Sequence, residues 1–139
     1  KLDQKLTFDA WCEGIRNGRN YVGDGHSHLI DFRVNEVAMG EKGSELRLAK
    51  PGMVTITAKV AARLNETPNP DLRDRPYSEK PYWHIERARL GDTRKVPVEV
   101  IVNGYPAAQK DIVADGTMRD ITFKTRVEFS SWIDRKSVV

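Results

Sequence analysis

VEVIVNGYPAAQKDIVADGTMRDITFKTRVEFSSWI, residues 98–133, reads as three strands separated by two turns. In its last third Ile121, Phe123, Thr125, Val127 and Phe129 fall on one face, and Asp120, Thr122, Lys124, Arg126 and Glu128 on the other. A period of two is the mark of a strand with one buried and one wet face. Asn103-Gly104 and Asp115-Gly116 are turn dipeptides, because glycine tolerates the positive φ that tight turns need. The stretch predicts an antiparallel β domain.

The same rhythm runs upstream. Met53–Ala62 alternates Val54, Ile56, Ala58, Val60 and Ala62 against Thr55, Thr57 and Lys59. His28–Val34 is expected to turn Ile30, Phe32 and Val34 inward, and Glu45–Ala49 to turn Leu46 and Leu48 inward. Asn20–Val22 reads as a short strand, and Tyr82–Leu90 as the hairpin partner of Arg94–Val102 across Gly91-Asp92. Pro97 points to an edge position in that strand, or to a start at Val98. The sum is about eight or nine short strands, which predicts an all-β chain, an immunoglobulin-like antiparallel β-sandwich. A closed barrel is the alternative.

Ahead of the strands, residues 7–17 carry Phe8, Trp11, Cys12 and Ile15 at helical spacing. Thr7 suits the N-cap, Asp9 the positive helix start and Gly18 the position just past the helix end. This predicts one short N-terminal amphipathic helix whose apolar face docks on something, since a helix this short is marginal alone. The expected organisation is a lead-in helix over residues 1–19 and a sandwich over residues 20–139.

The chain has 139 residues, enough for one domain with a proper core. Hydrophobic residues make up 39%, which excludes a disordered class. No apolar run approaches the roughly 20 residues of a membrane helix, so no membrane partner is expected. Lys and Arg number 23 against 20 Asp and Glu, with the signs interspersed. A solvated mixed surface explains the net +3, and no nucleic-acid partner is expected. Cys12 is the only cysteine, which excludes an internal disulfide and a cysteine metal cluster. The chain opens on Lys1 with no signal-like segment, which predicts a piece of a longer precursor or parent. The location leans to an exported or periplasmic bacterial protein.

Two groups of residues invite a chemical reading. Asp24, His26 and His28 sit at alternate positions, so an extended backbone aims all three to one side, as ligands suited to zinc. The competing reading is a polar turn leading into a strand, and no cofactor is expected. Residues 64–81 hold Pro68, Pro70, Pro76 and Pro81 and almost no apolar side chains. A loop of this length in a compact domain is uncommon and is usually functional or disordered. Tyr77, Tyr82 and Trp83 at its exit form a candidate stacking platform for a carbohydrate ring, although Trp83 suits the core better. Ser130-Ser131 has no neighbouring base in sequence, and no phosphate-cradling glycine loop is present.

Three stretches carry a resemblance. WCEGIRNGRNYVGDG at residues 11–25, VEVIVNG at residues 98–104 and SSWI at residues 130–133 resemble the region that follows the catalytic part of PHP-type (polymerase and histidinol phosphatase) metallohydrolases of the carbaryl-hydrolase-like branch. The resemblance implies an accessory C-terminal sandwich of a larger hydrolase, with the parent's catalytic domain or a second copy of itself as partner. It transfers no catalytic residue, because the barrel that holds that family's metal ligands is larger than this whole chain. After Ile133 the chain reads DRKSVV, where the family pattern expects an apolar strand. The function expected is therefore a non-catalytic accessory module. The alternatives are a carbohydrate- or small-ligand-binding module using residues 64–81, and a small metal-dependent hydrolase at Asp24, His26 and His28.

Overall fold

The computed structural model describes residues 5–22, 25–40, 44–79 and 88–137, without the side chains of residues 73, 77 and 135–137. Among these, the chain is mostly β, in two antiparallel sheets. The strands are β1 (Ser27–Val34), β2 (Val37–Ala38), β3 (Gly52–Ala62), β4 (Lys95–Val102), β5 (Tyr105–Val113), β6 (Arg119–Val127) and β7 (Ile133–Ser137). One sheet has the order β2-β1-β3-β6 and the other β5-β4-β7. The helix α1 spans Phe8–Arg16, and the single turn α2 spans Asp71–Asp74.

The two sheets share one core, which gives a sandwich-like architecture. Val54, Ile56, Ala58, Val60 and Ala62 of β3 meet Val96, Val98 and Val100 of β4, with Ile121 and Phe123 of β6 and Ile112 of β5. Branched side chains at every second position fit a pleated face buried on one side, and burial is the main gain of folding here. The β3–β6 ladder runs unbroken from Gly52↔Val127 to Val60↔Arg119. The alternation of β3 and β6 is thus in phase along its whole length.

β1 breaks its own rhythm. Leu29 pairs with Val60 and Ile30 with Lys59, but the next pair is Arg33↔Thr57, so Asp31 and Phe32 together face one residue. Asp31 sits at a φ of 52°, a left-handed conformation that aspartate tolerates better than most residues. The bulge moves the inward set from Leu29 to Phe32 and Val34. Ile30, expected inward, therefore lies beside Lys59 on the outer face.

Other expectations are corrected by the same accounting. Asn20–Val22 and Glu45–Ala49 form no strand, and Val22 is almost wholly exposed. β6 ends at Val127, so Phe129 leaves the core row and is exposed. β4 is a middle strand, not an edge, and it begins at Lys95. Pro97 lies inside this middle strand, opposite Asp111 of β5. The polar DRKS run does form a strand, since β7 pairs along Val98–Val102. The expected partner strand at residues 82–90 lies mostly outside the described residues, and Ala88, Arg89 and Leu90 are not in a strand.

The first turn is as read: Asn103 and Gly104 both have positive φ, at 51° and 88°, and join β4 to β5 as a tight hairpin. The second does something else. Between β5 and β6 the chain crosses from one sheet to the other, with Asp115 bridged to Arg63 and the Gly116 amide donating to the Ala62 carbonyl at 2.8 Å. Arg119 donates to both oxygens of Asp115, at 2.8 and 2.6 Å, and also to the carbonyls of Val113 and Thr117. The Arg119 guanidinium, with the Thr117 amide, holds the Asp115 carboxyl well below the usual carboxylate range.

Two outcomes follow from this fold. Phe123→Ala is expected to destabilise by about 3–5 kcal/mol, as a buried aromatic lost from a core does, while Thr122→Ala on the wet face costs under about 1 kcal/mol. Equal shifts in denaturation midpoint would contradict the register. Because Asp115 binds its proton less readily folded than unfolded, its contribution is complete above the unfolded carboxylate value of about 3.9 and fades as pH falls below it. Asp115→Asn should therefore unfold more easily than the parent at pH 7, with the gap closing at lower pH in thermal melts.

Candidate functional site: an open cleft at one end of the sandwich

The helix and its surroundings come first, because the sequence placed a docking face there. Thr7 caps α1, accepting the Ala10 amide on Oγ1 at 3.2 Å, and Gly18 follows the helix at a φ of 71°. The residues α1 buries are Ala10 and Gly14. Phe8, Trp11 and Ile15 point outward, exposed by 77%, 52% and 46%. The apolar stripe read from the sequence is present, and its Phe8, Trp11 and Ile15 are exposed among the described residues. The segment after α1 is pinned by Arg19, whose Nε donates to the Gly40 carbonyl at 2.6 Å. A Cβ at Gly40 would lie 2.4 Å from the Arg19 side chain, so this close approach requires glycine.

Of the suggested metal ligands, Asp24 lies outside the described residues. His28 is the second residue of β1, and His26 sits in the bend just before that strand. The His28 ring is engaged by Tyr21, whose hydroxyl lies 2.7 Å from Nδ1. The His26 carbonyl accepts the Arg63 amide at 2.9 Å. Among the described residues no three His, Cys, Asp or Glu side chains gather as a metal site.

Tyr82 and Trp83 of the proposed stacking platform also lie outside the described residues. Tyr77 opens a 3-10 turn over Tyr77–Glu79, and its side chain is not described. The beginning of the long segment is tied down. Arg89 donates to the Glu66 carbonyl at 2.7 Å, to the Gly91 carbonyl at 3.0 Å and to that of Asp92, while the Asn69 amide reaches the Arg89 carbonyl at 2.6 Å. One guanidinium thus joins residues 66–69 to the approach to β4.

A cleft opens elsewhere, at the end of the sandwich where β1 and β6 stop and β3 and β7 start. It is a cleft of about 820 Å³ between residues 44–51 and residues 127–133. Val34, Leu46, Val127 and Ile133 both line it and pack on the core, so its floor is the open end of the apolar interior. Glu45, Arg47, Lys50, Glu128 and Ser130 ring it, with Phe129 and Trp132 beside them. Arg47 and Glu45 form an exposed pair at 3.3 Å, which fixes little, since such pairs contribute about 0–1 kcal/mol.

One wall is built with care. Asn103 accepts the Trp132 amide on Oδ1 at 3.1 Å, donates through Nδ2 to Ser131 Oγ at 3.1 Å, and donates its own amide to the Trp132 carbonyl at 3.1 Å. Ser131 Oγ in turn donates to the Phe129 carbonyl at 2.8 Å. The Trp132 ring lies near Gly104, 3.9 Å from where a Cβ would stand. In sequence the NG turn at residues 103–104 and SSWI at residues 130–133 stand well apart. The structure makes them one unit, in which the turn asparagine holds the tryptophan segment. The signal available in sequence was the asparagine itself, which supplies both a positive φ and a side chain able to donate and accept.

Comparison with protein-family models, with curated proteins and with solved structures finds no match.

Asn103→Gly keeps the positive φ and removes only the clamp. It is expected to lower stability by about 1–2 kcal/mol, the net worth of the lost hydrogen bonds. Amide exchange should speed up at residues 131–133 with β3 and β6 unchanged; uniform acceleration across all strands would show that the clamp is not local.

Proposed function

We propose that this chain is a non-catalytic accessory module of a larger PHP-like metallohydrolase, and that it docks through α1 on that protein's catalytic domain. The observation that carries the reading is the outward stripe of Phe8, Trp11 and Ile15 on a properly capped helix. Covering a large apolar side chain contributes roughly 1.5–3 kcal/mol each, so three such side chains on one face favour an interface. The resemblance of residues 11–25, 98–104 and 130–133 to that family's post-catalytic region supplies the partner. It gains support from the Asn103 clamp, which explains why two of those stretches belong together. The finer immunoglobulin-like class is part of the same proposal. Its support is the four-plus-three division of the strands, although their order is this chain's own.

The test is calorimetric titration of this chain with the catalytic domain encoded in the same reading frame. Binding should be lost in Phe8→Glu and in Trp11→Glu, with circular dichroism unchanged. A reading frame without a PHP-type barrel, or binding indifferent to both changes, overturns the proposal.

A further inference from the structure

Independently of the accessory-module reading, we propose that the end cleft between residues 44–51 and 127–133 is a carbohydrate-binding site, with Trp132 and Phe129 as the surfaces on which a sugar ring stacks. Four observations lead there. The cleft, at about 820 Å³, falls within the range of small-ligand sites, roughly 300–1,000 Å³. Two of its three aromatic side chains serve the core poorly: Trp132 is 57% exposed and Phe129 is 71% exposed, whereas Phe32 is buried. An aromatic ring kept half in water at the mouth of a cleft suits a partner with one apolar face and one wet edge.

Next, the Trp132 backbone is fixed before any ligand arrives. Asn103 holds its amide and carbonyl, and Ser131 ties the same segment back to Phe129. Order established in advance lowers the entropy lost on binding. Finally, the rim is polar in the way a sugar requires. Glu45, Arg47 and Glu128 offer planar acceptors and donors, and Ser130 a hydroxyl, around an apolar floor. A pyranose has a C–H face that packs on an aromatic ring and hydroxyls along its edge that exchange hydrogen bonds with such a rim. A purely apolar ligand would desolvate part of this charged rim and give it no new hydrogen-bond partner, which is unfavourable. A charged ligand finds both signs at the mouth and no concentration of either.

The aromatic residues it uses are other than Tyr77, Tyr82 and Trp83, which the sequence suggests for stacking.

The experiment is amide-resolved NMR of the chain, titrated separately with soluble oligomers of glucose, mannose, xylose, galactose and N-acetylglucosamine, with anilinonaphthalene sulfonate as the apolar comparison. At least one sugar series should give saturable shifts confined to residues 44–51 and 127–133. Trp132→Ala and Phe129→Ala should each weaken that binding about tenfold or more, Trp132→Tyr should recover part of it, and Thr122→Ala should leave it unchanged. Should Trp132→Ala fail to fold, Phe129→Ala carries the test, because that side chain is largely outside the core. The proposal is overturned if no sugar gives saturable shifts, if the shifts map elsewhere, if both alanine variants bind as before, or if anilinonaphthalene sulfonate fills the cleft and no sugar competes with it.

Discussion

A chain that builds two sheets must change sheets somewhere, and one of the crossings lies between Val113 and Arg119. Ala114 is fully buried at the crossing, and its amide and carbonyl are bonded to Arg94 and Leu64. The guanidinium of Arg119 closes the corner from outside by gathering Asp115 and two backbone carbonyls. Everything downstream depends on this geometry. β6 enters opposite β3 in the register that turns Ile121 and Phe123 inward, and a slip of one residue would reverse every side chain of that strand. A bidentate arginine–carboxylate pair defines direction as well as proximity, which a sheet-switching corner needs.

What the sequence showed depended on how regular each strand is. β3 and β6 keep period two along their whole length, so their inward residues were legible one by one. β1 was legible only to the bulge: nothing local distinguishes Asp31 from any other polar residue in an alternating strand, and the extra residue exchanges Leu29 for Ile30. β7 was hidden for another reason. It is an edge strand, and its DRKS run carries no apolar rhythm, so its existence rests on the ladder that β4 offers. The helix and its cap were readable from Thr7 to Gly18, but the face it buries was not. Small residues, Ala10 and Gly14, allow close approach, and that preference competes with the hydrophobic stripe.

The candidate sites divide along the same line. His26, His28 and the aromatic residues near the long segment were picked out because neighbouring residues formed a pattern in one dimension. The end cleft is assembled from pieces about eighty residues apart, residues 44–51 and 127–133, held by a turn asparagine from a third. No spacing announces such a site. The two exposed apolar features, the α1 stripe and the Phe129–Trp132 wall, are also separate in kind. One is a convex helix surface made of side chains alone, and the other is a concave wall whose backbone is fixed.

The outer strands β5 and β6 belong to different sheets, and each is the end of its ladder. Unpaired backbone along such edges is a template on which another chain can add a strand. Here Lys110 of β5 reaches across and donates to the Thr122 carbonyl of β6, with its ammonium 5.5 Å from the Phe123 ring centre. Pro106, set in β5 beside a register shift, removes a donor from the other edge. One lysine and one proline thus make this side of the molecule a poor template for strand-by-strand growth.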